Sequence, residues 1–126
     1  MTTNTFKTLR SVAVPVTDHD RTKAVLERLG FTTAMDAELQ PGFRWIELQL
    51  PSGGATVSLV TTGPELPTGV DTGIRLETDD ARAARTAVES AGLEAGELLD
   101  WPGVPLMFSF VDPDGNRFYV SETASS

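Results

Sequence analysis

Two pairs of landmarks recur along this chain at one fixed interval. Asp18 and Asp80 each follow a short strand-like run, Gly30 and Gly92 each end a helix-like run, and both pairs lie 62 residues apart. The first half runs VAVPVTD, helix, LGF; the second runs GIRLETDD, helix, AGL. Each half then continues with three more strand-like stretches. A fixed period of this size predicts two copies of one βαβββ unit. Residue identity between the halves is low, so the repeat is structural. The chain has 126 residues, enough for one ordinary core. The expectation is an α+β single domain over 1–126, with module one over about 9–62 and module two over about 71–123.

Local signals fill in each module. Ser11 to Val16 alternates, with Val12, Val14 and Val16 on one face. Asp18 is placed to cap a helix whose Val25, Leu26 and Leu29 form one face, and Gly30 stops it. Phe31 to Met35 is expected as a short strand and Pro41-Gly42 as a turn. Phe43 to Leu50 alternates strictly, with Ile46, Leu48 and Leu50 opposite Trp45, Glu47 and Gln49. After the turn Pro51-Ser52-Gly53-Gly54, Ala55 to Val60 gives the next strand, and Thr61 to Gly69 the linker. The second half repeats this scheme. Gly73 to Thr78 is a strand, and Asp79 or Asp80 caps a helix with Ala84, Ala87, Val88 and Ala91 on its apolar face. Leu93 to Leu99 holds a short strand, and Trp101 to Pro105 is a loop. Leu106 to Val111 and Arg117 to Ser121 flank the turn Asp112-Pro113-Asp114-Gly115-Asn116, where Pro113 fixes φ and Gly115 permits a positive φ. The ends, Met1 to Thr5 and Thr123 to Ser126, are expected to fray.

Composition narrows the function. There is no cysteine, hence no disulfide framework and no thiolate chemistry. The polar start has no apolar signal-peptide core, and no apolar run approaches the length of a membrane span. A cytoplasmic protein of bacterial type is the default expectation. The net charge is −8 and the 10 basic residues form no run, which argues against nucleic acid and suits solubility.

Two segments resemble a known family. FSFVDPDGNRFYVSE, Phe108 to Glu122, resembles the end of vicinal oxygen chelate proteins, and VAVPVTDHDRTKAVLERLGF, Val12 to Phe31, their opening strand and helix. That superfamily includes glyoxalase I, bleomycin-resistance proteins, fosfomycin-resistance enzymes and extradiol dioxygenases. The resemblance spans about Leu9 to Glu122. It implies two βαβββ modules whose mixed sheets curl into a half-open cup, a small-molecule ligand inside, and a homodimer. It does not imply one activity, because this fold hosts many. The family's enzymes hold a divalent metal with His, Gln or Glu on the first and fourth strands of each module. The corresponding positions here are Ser11, Ser58, Gly73 and Tyr119. The chain's one histidine, His19, sits at a helix start, where it is either a lone base or ligand or a solvated side chain. No metal and no cofactor are therefore expected, although Glu47 and Glu77 remain candidates for Mg²⁺ or Mn²⁺.

Strand alternation then assigns the cup lining. Ser11 and Ala13 face it, followed by Phe43, Trp45, Glu47 and Gln49, then Thr56, Ser58 and Val60. Module two adds Arg75 and Glu77, then Arg117, Tyr119 and Ser121. The adjoining strand adds Phe108 and Phe110 or, in the other register, Met107 and Ser109. Trp101 is expected at the rim. The ligand set is thus Phe43, Trp45, Glu47, Ser58, Arg75, Glu77, Trp101, Phe108, Phe110 and Tyr119, an aromatic pocket with a few polar groups. The alternative reading of Trp45 and Tyr119 is ordinary sheet packing, and that of Arg75 is a structural ion pair with Glu47 or Glu77. Three readings follow: a metal-free protein sequestering an aromatic or cationic natural product, a glyoxalase-type enzyme using Glu47 or Glu77 with a metal or as a base, or a non-catalytic structural or regulatory dimer.

Overall fold

The computed structural model describes residues 4–123, and residues 1–3 and 124–126 lie outside it. The expected fraying of the ends falls largely on those outer residues. Thr123 itself is tied down, its N–H donating to the Thr78 carbonyl at 2.8 Å.

Module one runs β1 (Ser11–Val16), α1 (His19–Arg28), β2 (Thr32–Gln40), β3 (Phe43–Gln49) and β4 (Thr56–Thr61). Module two repeats it with β5 (Asp71–Thr78), α2 (Ala81–Ser90), β6 (Glu94–Ala95), β7 (Met107–Val111) and β8 (Arg117–Glu122). Each module forms a four-stranded mixed sheet, in the order β1-β4-β3-β2 or β5-β8-β7-β6. The first and last strands of each module pair in parallel and the other pairs are antiparallel. This is the tandem βαβββ, α+β architecture that the repeat predicts.

The repeated landmarks do the same physical work in both halves. Asp18 accepts a hydrogen bond from the Arg21 N–H at 3.2 Å, and Asp80 accepts from the Ala83 N–H at 3.0 Å. Each carboxylate thereby satisfies a helix-end donor that has no partner within the helix. Gly30 and Gly92 take φ of 102° and 90°, the left-handed exit that a side chain would strain.

β2 and β5 are longer than expected, β5 starting at Asp71 and not at Gly73. β2 extends to Gln40, because its polar second half pairs along β3 and because Lys23 and Arg44 neutralise Asp36. β6 is two residues long.

The modules share one hydrophobic cluster. Val14, Val16, Leu26, Ile46, Leu48 and Leu59 from module one join Val88, Phe108, Phe110, Phe118 and Val120 from module two. A buried polar joint adds direction. The fully buried Asn116 amide donates to the Pro15 carbonyl at 2.8 Å and to Asp112 Oδ2 at 3.0 Å. Its Oδ1 accepts from the Gly69 and Val70 N–H groups at 3.0 and 3.2 Å. One side chain thus fastens β1, the linker and the β7–β8 turn. Asp114 of the same turn accepts from the Thr17 hydroxyl at 2.6 Å.

Candidate functional site

The exposed faces of the two sheets carry the candidate residues, and they carry them as two separate clefts. On module one, a cleft of about 340 Å³ is lined by Arg10, Met35, Leu39, Phe43, Trp45 and Glu47. Phe43 and Trp45 sit on the same side of β3 by strand alternation. Their rings stack 6.1 Å apart and 5° from parallel, with Phe43 44% exposed. Beneath them Glu47 is buried, at 4% exposure. Its Oε2 accepts from the Trp45 indole N–H at 2.8 Å and from Arg10 at 2.9 Å, and its Oε1 accepts from the Thr56 hydroxyl at 2.9 Å. A buried carboxylate with three donors is a satisfied one. The Trp45 N–H, then Thr56 and Arg10, hold its pKa below the ordinary glutamate value against the opposing effect of burial. A general base working near neutral pH needs the opposite shift, so this geometry does not prepare Glu47 for that role.

On module two, a cleft of about 470 Å³ is lined by Arg75, Glu97, Leu99, Met107, Ser109 and Tyr119, among others. The Arg75 guanidinium lies 4.2 Å from the centre of the Tyr119 ring. The Tyr119 hydroxyl in turn donates to Asp71, and this bond lowers the Asp71 pKa and raises that of Tyr119. Arg117 donates to the Ser109 hydroxyl at 2.9 Å.

Several expectations need correction. Phe108 lines the module-two cleft only from the core side, and Phe110 does not line it. They are 2% and 1% exposed, and Phe110 stacks on Phe118 at 5.2 Å in the core. The register sets this: Phe110 pairs with Phe118 and Ser109 with Tyr119, so both phenylalanines point to the core, Met107 and Ser109 point into the cleft, and Phe108 adds to the cleft floor. Glu77 lines a different, apolar cleft of about 150 Å³ between the modules, with Leu29, Leu50 and Ala87. Arg75 forms no ion pair with Glu47 or Glu77 among the described residues; Glu47 is paired with Arg10 instead. Trp101 is 58% exposed, as expected of a rim, but lines neither sheet-face cleft. His19 is not freely solvated: its Nε2 is buried and has no hydrogen-bond partner among the described residues.

The metal positions of the superfamily can be tested on their donors. Ser11 and Ser58 meet across the β1–β4 pair, where their hydroxyls hydrogen-bond to each other. In module two the same positions hold Gly73, which offers no side-chain donor, and Tyr119, whose phenol is engaged with Asp71. Neutral hydroxyls bonded to each other are poor ligands for a divalent ion that favours imidazole or carboxylate. Among the described residues no three His, Cys, Asp or Glu side chains are grouped to hold one. The residues present do not fit the superfamily's metal.

Sequence reasoning missed Arg10, which neutralises Glu47, and Asp71, which orients Tyr119. Arg10 lies outside any strand, so alternation says nothing about it. Asp71 belongs to a stretch of β5 where Gly73, at φ 71°, breaks the register with β8.

The comparisons agree with this architecture. A sequence profile of the Glyoxalase/Bleomycin resistance protein/Dioxygenase superfamily matches residues 8–120. The chain belongs to that superfamily. A solved member of it from Sphaerobacter thermophilus DSM 20745 is 26% identical, with a TM-score of 0.82 over 94% of this chain and 98% of that one. TnmS3, an antibiotic binding protein from Streptomyces sp. CB03234, is 24% identical, with a TM-score of 0.82 over 95% and 98%. A bleomycin-binding protein solved with bleomycin is 19% identical, with a TM-score of 0.67 over 94% and 100%. At these last two identities the likeness is one of fold. No curated protein matches the chain. Among the described residues no helix is long and apolar enough to cross a membrane.

Proposed function

We propose that this protein binds and sequesters a small molecule with a flat aromatic part, without a metal. One observation carries the reading: the nearly parallel, stacked Phe43–Trp45 pair is open to a cleft while its polar edge is locked, because the Trp45 N–H already donates to Glu47. Such a pair offers an apolar platform that costs little ordering entropy to use, since both rings are held before the ligand arrives. The antibiotic- and bleomycin-binding proteins with this fold make an antibiotic-like ligand the first to try. The metal-free part of the proposal rests on the Ser11, Ser58, Gly73 and Tyr119 donor set.

A thermal-shift screen of antibiotics and aromatic metabolites tests this, because a ligand that binds only the folded state must raise the melting temperature. A hit is expected to lose most of its shift in Trp45→Ala and to keep it after exhaustive chelation. A hit insensitive to Trp45→Ala, or one abolished by chelation, overturns the proposal.

We also propose a homodimer. Each cleft occupies one module, and Leu39, Phe43, Trp101 and Val104 leave apolar surface exposed that a second copy would cover. Sedimentation equilibrium checks this, and a monomer at the concentrations used for binding overturns it.

A further inference from the structure

The module-two cleft has a charge pattern that the module-one cleft lacks. Glu47 in module one is neutralised by Arg10, whereas Arg75 in module two makes no hydrogen bond and no ion pair among the described residues. The Arg75 guanidinium is not loose. It lies over the Tyr119 ring, 4.2 Å from its centre, and that ring is itself fixed by its hydroxyl bond to Asp71. Asp71 is spent on that bond and on the Gly73 N–H at 3.0 Å, so it is not a ready partner for Arg75. The cleft lining holds one carboxylate, Glu97, which forms no ion pair with Arg75. Ser109, across β8 from Arg75, accepts from Arg117 and so has its own hydroxyl proton directed elsewhere. Met107 and Leu99 supply apolar wall beside these polar groups.

A guanidinium resting on an aromatic ring and hydrogen-bonded to no side chain keeps its N–H donors available, and two of them match the two oxygens of a carboxylate. From this juxtaposition we propose that the module-two cleft takes a ligand with an oxyanion, a carboxylate or a group of the same geometry, received by Arg75 with Ser109 beside it while its apolar body rests on Met107 and Leu99. This is a second binding place, in a different cleft from the Phe43–Trp45 platform, and it goes beyond the aromatic-ligand reading above. The chain's net charge of −8 opposes anions at long range, so any preference for one must arise locally, at a site like this.

The test uses two probes of one shape, 2-naphthoate and 2-naphthamide, titrated calorimetrically into the full chain. Wild type is expected to bind the acid about 10-fold or more tightly than the amide, the ratio expected for one charge-assisted hydrogen-bonded contact. Arg75→Gln is expected to bring the two affinities together, and Arg75→Lys to keep part of the difference, with circular dichroism confirming that both variants fold. Equal wild-type affinities for the two probes overturn this inference and leave the aromatic-ligand reading standing. So does a preference that survives Arg75→Gln. Failure of 2-naphthoate to bind even at millimolar concentration overturns it as well.

Discussion

The two modules share a plan and differ in what they do with their β-turns and their charges. In module one the turn at Pro51 to Gly54 is exposed and makes one backbone hydrogen bond, Gly53 N–H to the Leu50 carbonyl at 2.9 Å. In module two the equivalent turn folds inward. Asp112 accepts from the Asp114 and Asn116 N–H groups, both at 2.9 Å, and Asn116 reaches into module one. The sheet faces differ in the opposite sense. Module one closes its buried charge with Arg10, Trp45 and Thr56, and module two leaves the Arg75 guanidinium on the Tyr119 ring with no ion pair among the described residues. A structural repeat therefore conserves caps and strand order, while joint and site are free to diverge between copies.

The sharpest way to break this comparison is at the two turns. Asn116→Ala removes four hydrogen bonds from a fully buried side chain and leaves the Pro15 carbonyl and the Asp112 carboxylate short of donors. Burial already pushes the Asp112 pKa up, so losing a donor there makes its ionised form costlier. The expected loss is about 2–4 kcal/mol in urea denaturation. Ser52→Ala in the exposed turn is expected to stay within about 0.5 kcal/mol of wild type. If the two variants cost the same, the turns are equivalent and the asymmetry is only one of sequence.

Glu47→Gln is the next largest. A glutamine can keep its oxygen toward Trp45 and Arg10 and turn its amide nitrogen to the Thr56 hydroxyl, which can accept, but it removes the charge that pairs with Arg10 and strengthens both bonds at Oε2. A loss of about 1–3 kcal/mol near neutral pH is expected. The pH dependence has a definite sign. A carboxyl whose folded pKa is lowered adds stability above its unfolded value, and that stability is lost as pH falls through the folded pKa. The gap between wild type and Glu47→Gln should therefore hold above pH 4.5, the ordinary glutamate value, and narrow below it. Melting curves across that range measure it. A gap that stays constant into acid would mean that Glu47 contributes by shape alone.

Much of this was legible in the sequence. The spacing of Asp18/Asp80 and Gly30/Gly92 reports helix ends, which are local events set by a cap and a positive φ, so both were placed correctly. Strict alternation in β3 gave the sides of Ile46, Leu48, Trp45 and Glu47, because one face is buried and the period is two. The same rule failed at β7. MFSFV offers an apolar residue on both faces, and only pairing with β8 decides that Phe108 and Phe110 go inward. Charge partners were the least legible. Arg10 and Glu47 are 37 residues apart, and nothing local to either announces the other.

The smallest expected effect lies on the surface of module one, in a feature with no counterpart among the described residues of module two. Asp36 receives Lys23 at 2.8 Å and both Nε and Nη2 of Arg44 at 2.9 Å, and Arg44 also reaches Asp20 at 2.9 Å. The network ties α1 to the β2–β3 hairpin, and Arg44 first, then Lys23, holds the Asp36 carboxyl well below the usual carboxylate range. It is nonetheless solvated, so its Coulomb attraction is weak and screened by salt. Arg44→Ala is expected to lower the urea midpoint only slightly at low salt, and to match wild type in molar sodium chloride. The buried Asn116 joint should cost the same at both salt concentrations, since water and ions do not reach it. Measuring both variants at both salts separates the two kinds of fastening. If the Arg44 effect survives molar salt, the bidentate geometry rather than the charge holds the hairpin to the helix, and module one has a joint of its own after all.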